Sequence, residues 1–163
     1  MKTQELMTES PATATVDDTA RRVAELMADN DCGCVPIVDA ANTRRIVGVI
    51  TDRDIAVRAV AKGKGPDTRV RELMTSDPLC CTPDTDVRDL EQMMADRQVR
   101  RILIVDESRA IVGIVSQADL ARAAERGREV TEREIARVVQ RISEPDASTR
   151  ARRAQATTLE QEL

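Results

Sequence analysis

Two short stretches of this chain carry residue types that could do chemistry, and they carry them at the same spacing. Gly48-x-x-Thr51-x-x-Asp54 is matched by Gly113-x-x-Ser116-x-x-Asp119. A hydroxyl at the start of a helix sits beside backbone N–H groups that lack intrahelical partners, which makes a ready phosphate site. A carboxylate one turn along can accept two hydrogen bonds from a ribose diol, as the acidic residue of dinucleotide-binding folds does. Glycine at a strand end leaves room for a ligand to approach the backbone. The spacing also has a purely structural meaning: a hydroxyl three residues before a carboxylate, directly ahead of an apolar helix, is a capping arrangement. Duplication favours the ligand reading. Asp52-Arg53 of the first copy has become Gln117-Ala118 in the second, while glycine, hydroxyl and acid have kept their places.

The elements that position these motifs are repeated too. Leu26-Met27-Ala28-Asp29 returns as Met93-Met94-Ala95-Asp96 and Val35-Pro36-Ile37-Val38-Asp39 as Ile102-Leu103-Ile104-Val105-Asp106, both 67 residues later, whereas the motif stretch returns after 65. The change of offset falls in the polar turn between Asp39 and Ile46, where a loop can shorten without disturbing a core. The lead-ins Glu5-Leu6-Met7-Thr8 and Glu72-Leu73-Met74-Thr75 match as well. Each copy reads strand, helix, strand, strand, helix. The expected fold is α+β: two β-α-β-β-α repeats (1–66 and 67–126) in pseudo-two-fold symmetry, a C-terminal helix (127–145) and a disordered tail (146–163).

In detail, residues 12–16 read as the first strand. Asp18 or Thr19 caps a helix with the stripe Ala20, Val23, Ala24 and Met27, repeated as Val87, Leu90 and Met94. After Thr51 a second helix shows Ile55, Ala56, Ala59 and Val60 on one face, and the glycines and proline of residues 62–67 end it. Thr68 is expected to cap a short helix carrying Val70, Leu73 and Met74. Thr131 and Glu134 have capping-box spacing ahead of the stripe Ile135, Val138, Val139 and Ile142, and Pro145 stops that helix. Such a stripe must dock on its own module or on a partner.

Composition narrows the function. Twenty-five basic and 29 acidic residues are well mixed and Phe, Tyr and Trp are absent, which gives nucleic-acid binding little support. The apolar runs are too short to span a bilayer and the start lacks a signal-peptide segment, so the chain reads as cytoplasmic. With no histidine it lacks the commonest general base and metal ligand. Four cysteines fall in two clusters, Cys32-Gly33-Cys34 and Cys80-Cys81, spaced more tightly than zinc sites usually are. They read first as buried small hydrophobes, with a redox switch and a metal site as the alternatives.

The paired motifs, in register with every other repeated element, resemble a tandem pair of CBS (cystathionine β-synthase) domains over residues 4–124. The resemblance implies modules that bind adenosine-containing ligands. It implies that Asp54 and Asp119 hold ribose hydroxyls, and that Thr51 and Ser116 meet phosphate or the ribose edge. Thr13 and Ala14 with Cys34, Val35 and Pro36, and Cys80 and Cys81 with Arg101, Ile102 and Leu103, would line the adenine slots. Gly48, Arg53, Arg100 and Gly113 complete the candidate set.

The family proline is present as Pro36 but replaced by Leu103, and the second copy has Arg100 and Arg101 where the first has Gly33 and Cys34. Guanidinium groups suit phosphate, so the second site is expected to favour an anionic ligand. The other reading of the two arginines is a solvated strand entrance. AMP, ATP, NAD and S-adenosylmethionine all offer the adenosine end. The expectation is a stand-alone regulatory module and not an enzyme, without cofactor or metal, acting on an unknown effector. It would pair as a homodimer, because the helix stripes hold more apolar surface than a three-stranded sheet can cover. The rivals are a ligand-free interaction scaffold and a module switched by its thiols.

Overall fold

A computed structural model describes residues 1–125 and 131–144. The first repeat comprises β2 (Ala14–Thr15), α1 (Ala20–Asp29), β3 (Cys34–Val38), β4 (Ile46–Thr51) and α2 (Asp52–Asp54). After Asp54 the helix continues as a π turn over Ile55–Ala59 and a 3-10 turn over Val60–Lys62. The second comprises β6 (Cys80–Cys81), α3 (Val87–Arg97), β7 (Arg101–Val105), β8 (Ile111–Ser116) and α4 (Gln117–Glu125). Two short strands, β1 (Thr8–Glu9) and β5 (Thr75–Ser76), precede the repeats, and α5 (Glu132–Ser143) follows them.

Each repeat builds a four-stranded sheet, and the fourth strand comes from the other copy. The orders are β2-β3-β4-β5 and β1-β8-β7-β6. Gly48 and Val49 pair with Ser76 and Thr75, and Gly113 and Ile114 with Glu9 and Thr8. The turns ahead of these strands are exchanged in the same way. Thr3 and Gln4 N–H donate to Thr85 and Pro83 carbonyls, as Val70 and Arg71 N–H donate to Asp18 and Val16. The expected three-stranded sheet is therefore too small by one strand. The matched lead-ins explain why: each is shaped for the sheet opposite.

The strand pattern decides the cores. Every side chain of β3 is buried and β4 alternates buried with half-buried, as expected of a central strand and of one with a single covered face. One core holds Val23, Val35, Ile37, Ile50, Val70 and Leu73; another holds Leu90, Met94, Ile102, Ile104, Val115 and Leu120. Between them Val38, Ile46, Leu103, Val105 and Ile111 form the seam, so the leucine that replaces the family proline is packing the junction of the repeats.

The helix stripes turn inward. Ala20, Val23, Met27, Val87, Leu90 and Met94 are buried within the chain, and Ala24 alone of the named positions is exposed. The sheets cover them because each has an extra strand, so these stripes give no ground for a dimer. Thr19 is the α1 cap, accepting from Arg22 N–H, while Asp18 accepts from Thr15. Thr68 caps nothing: its hydroxyl donates to the Gly65 carbonyl. In the 52–62 helix Ala59 is buried but Ala56 and Val60 are exposed, because a π turn adds a residue and rotates the stripe off its 3.6-residue phase. Gly63, at φ 69°, closes that helix.

Helix α5 docks on its own chain. Thr131 and Glu134 form the expected capping box, and Ile135, Val138 and Ile142 pack into the second core beside α3 and α4. Pro145 and the 146–163 tail lie outside the described residues.

Candidate functional site

Both motifs fold as their spacing dictates at the local level. Thr51 N–H and Oγ1 donate to Asp54 Oδ2 at 2.9 and 2.7 Å, and Asp54 N–H returns to Thr51 Oγ1 at 3.1 Å. Ser116 N–H and Oγ donate to Asp119 Oδ2 at 2.7 and 2.6 Å, and Asp119 N–H returns at 3.3 Å. These are reciprocal capping boxes. The second oxygen of each carboxylate faces an arginine of its own helix: Asp54 Oδ1 lies 3.4 Å from Arg58 Nη2, and Asp119 Oδ1 lies 2.5 Å from Arg122 Nη2.

A cavity of about 490 Å³ opens where the repeats meet. Its walls are residues 8–12, the turn 30–34 between α1 and β3, and Arg101, Ile114, Ser116, Ala118, Asp119 and Arg122. Antiparallel pairing places Arg101 beside Ser116 and Cys34 beside Thr51, so the cavity joins the motif of one repeat to the strand entrance of the other. Gly33 makes this approach possible. A Cβ there would lie 2.7 Å from Asp52 Oδ2 and 3.4 Å from Arg101 Nη2.

The electrostatics are uneven. Arg101 reaches toward the first repeat, and among the described residues its guanidinium has no side-chain hydrogen bond or ion pair. Burial pushes the Cys34 thiol up to about 12, although Arg101 opposes the shift. Cys80 and Cys81 are raised by burial as well, and all four cysteines are free thiols. Among the described residues no cluster of acid and thiol groups could hold a metal.

Of the residues singled out in sequence, the cavity gathers Cys34, Arg101, Ser116 and Asp119. Thr13, Pro36, Thr51, Arg53, Asp54 and Arg100 do not line it. Val35 and Ile102 place fully buried side chains in the two cores, and Ala14 packs beside Val35. Cys80 packs at the seam and Cys81 against the second core, so neither forms a wall. Gly48 and Gly113 lie within strands and not at their ends. A Cβ on Gly48 would meet Met74 Sδ at 2.7 Å, and one on Gly113 would meet Met7. These glycines make room for the exchanged lead-ins.

Sequence reasoning missed the wall of residues 8–12. Its signal was present in the repeated lead-in, which has no reason to match unless both copies use it. Arg122 carried no signal, since its counterpart at the 65-residue offset is Val57.

The CBS domain family model matches the chain twice, over residues 4–60 and 70–126. The chain belongs to the CBS domain family. Over 118 residues it is 36% identical to the CBS domain-containing protein YhcV of Bacillus subtilis, covering 72% of this chain and 81% of that one. Its fold matches the CBS domain protein PAE2072 of Pyrobaculum aerophilum, complexed with AMP, at a TM-score of 0.68 and 28% identity, covering 74% and 90% of the two chains. It also matches the CBS domain pair of protein MJ0100 in complex with 5-methylthioadenosine and S-adenosyl-L-methionine. That match has a TM-score of 0.71 and 26% identity over 78% and 98% of the chains. This CBS pair thus has two repeats, with α5 following the second.

Proposed function

We propose that this CBS pair is a regulatory module that binds an adenosine-containing ligand in the cavity at Ser116 and Asp119. One observation carries the reading: a hydroxyl–carboxylate helix start and the Arg101 guanidinium, unpaired among the described residues, line the same cavity between the repeats. Asp119 exchanges Arg122 for the ribose diol, and the released Arg122 and Arg101 face the phosphate. The relatives crystallised with AMP and with S-adenosylmethionine support the class of ligand. Of AMP, ATP, NAD and S-adenosylmethionine, the two guanidinium groups favour the phosphate-bearing three.

Calorimetric titration with those four compounds tests the reading. Binding by wild type, weakened about 10- to 150-fold in Asp119→Asn, is expected from the loss of one charge-assisted hydrogen bond. No binding of any of the four, or unchanged affinity in Asp119→Asn, would overturn it.

A ligand-free scaffold is the second reading, favoured by the capping boxes that already occupy one oxygen of each aspartate. In either case we assign self-association to the outer face of the first repeat, where Val57 and Val60 are 47% and 70% exposed. No described helix covers those two side chains. Light scattering of wild type and Val60→Glu tests this, and a monomeric wild type at micromolar concentration overturns it.

A further inference from the structure

We infer that the chain takes a single ligand, at the Ser116/Asp119 cavity, and that Arg58 closes the equivalent place beside Thr51 and Asp54. This rests on the reading of that cavity as a nucleotide site. The repeat relates the two places residue by residue, Thr8 to Thr75 at an offset of 67 and Asp54 to Asp119 at 65. Thr8 and Asp119 both line the open cavity. Their counterparts are tied together. Arg58 Nη2 donates to Thr75 Oγ1 at 3.1 Å and lies 3.4 Å from Asp54 Oδ1, while Nη1 donates to the Leu73 carbonyl at 2.7 Å. One guanidinium therefore spans from the motif helix to the exchanged strand β5, across the space that corresponds to the cavity.

No described residue of the second repeat makes such a bridge. The position equivalent to Arg58 is Ala123, which is buried and too short to bridge. The cation there is Arg122, one residue earlier, whose guanidinium pairs with Asp119 alone among the described residues. Its side chain is 59% exposed against 42% for Arg58, so it can swing aside when a ligand arrives. The backbone differs in step. Arg58 sits in the π turn Ile55–Ala59, whereas α4 runs as an α-helix over Gln117–Glu125. Re-wound turns of this kind collect at functional places. A ligand entering beside Asp54 would have to displace an arginine held at three points, whereas one entering beside Asp119 displaces an arginine held at one.

Stoichiometry decides the matter. The full chain is titrated calorimetrically with AMP, and with ATP, NAD and S-adenosylmethionine in parallel. One site per chain is expected for wild type and two for Arg58→Ala. Arg58→Met keeps the aliphatic stem and serves if the alanine variant does not fold; it too should show two sites. Adding Asp54→Asn to Arg58→Met should remove the second event and leave the first. Two sites in wild type, or one site in a folded Arg58→Met, would overturn the closure while leaving the nucleotide reading intact. No binding by wild type and Arg58→Met alike would remove the nucleotide reading, and the closure with it.

Discussion

Arg44 and Arg109 accept reciprocal backbone hydrogen bonds across the seam: Ile46 N–H donates to the Arg109 carbonyl at 3.0 Å and Ile111 N–H to the Arg44 carbonyl at 2.9 Å. Both residues are left-handed, at φ 50° and 64°, and they stand at equivalent places in the two repeats. The pseudo-two-fold is thus fixed by backbone geometry as well as by the apolar seam. A β-branched residue resists this conformation and glycine accepts it. Arg109→Val should lose about 1–3 kcal/mol in urea unfolding, whereas Arg109→Gly should stay within about 1 kcal/mol of wild type. Equal losses in both would show that the Arg109 side chain matters, not its backbone.

The exchanged lead-in can be tested at Gly48. An added Cβ would meet Met74 Sδ at 2.7 Å, which can yield, and the Thr75 carbonyl oxygen at 3.0 Å, which belongs to the paired strand and cannot. Gly48→Ala should therefore cost about 1–3 kcal/mol, the usual range for overpacking. Adding Met74→Ala should not restore wild-type stability, because the carbonyl contact remains and a cavity is created. Full recovery in the double variant would mean that the strand is free to shift.

Much of this was legible because the chain repeats itself. Strand alternation, the Thr19 cap, the Thr131 box and both hydroxyl–carboxylate boxes follow from short-range chemistry, which a sequence states directly. The strand exchange does not. Glu5-Leu6-Met7-Thr8 looks the same whether it pairs at home or across the seam, and only the fit of Met7 over Gly113 distinguishes the two. The same limit hid the cavity. Cys34 lies closer in sequence to Asp54 than to Asp119, yet it lines the cavity of Asp119 because the repeats face each other. Arg58 escaped notice for a different reason: the π turn that orients it leaves no periodic trace.

Glu91 makes stability depend on pH. It lies on α3 under α5, and its Oε1 is buried with no hydrogen-bond partner among the described residues. Burial raises its pKa, the neighbouring Glu134 raises it further, and Arg88 opposes them. For an acid raised in the folded state, ionisation costs stability as pH climbs from the unfolded value toward the folded one. Glu91→Gln should therefore be more stable than wild type at pH 7, where the two differ by the buried charge. The gain should vanish below the ordinary glutamate range, where both forms are neutral. Urea titrations of the pair at pH 4 and pH 7 measure it, and a gain that does not depend on pH would refute the charge argument.

The docking of α5 within its own chain predicts that truncating it costs the same at any protein concentration. Ile142 is buried in the second core with Leu90, Met94 and Leu120. Ile142→Ala should lose about 2–4 kcal/mol, a typical cost for truncating a buried isoleucine. The loss should be the same at one and at one hundred times the protein concentration. A loss that shrinks as concentration rises would place α5 on a partner chain.

The thiol-switch reading is tested at Cys34. The residue lines the cavity, and its thiol is buried and pushed up to about 12. Only the thiolate is nucleophilic, and at pH 8 that value leaves about one thiol in ten thousand ionised. Burial dominates, so the Arg101 charge beside it does not restore reactivity. Alkylation of the folded protein with iodoacetamide at pH 8, followed by peptide mass spectrometry, should leave Cys34 unmodified while Cys32, which is half-buried, is labelled. In urea all four cysteines should be labelled at similar rates. Cys80 and Cys81 pack at the seam and the second core, away from the cavity lining, so air oxidation should not link them to Cys34. If Cys34 reacts as fast in the folded protein as in urea, or appears in a disulfide with either of them, the packing role fails and the thiols become the regulatory element.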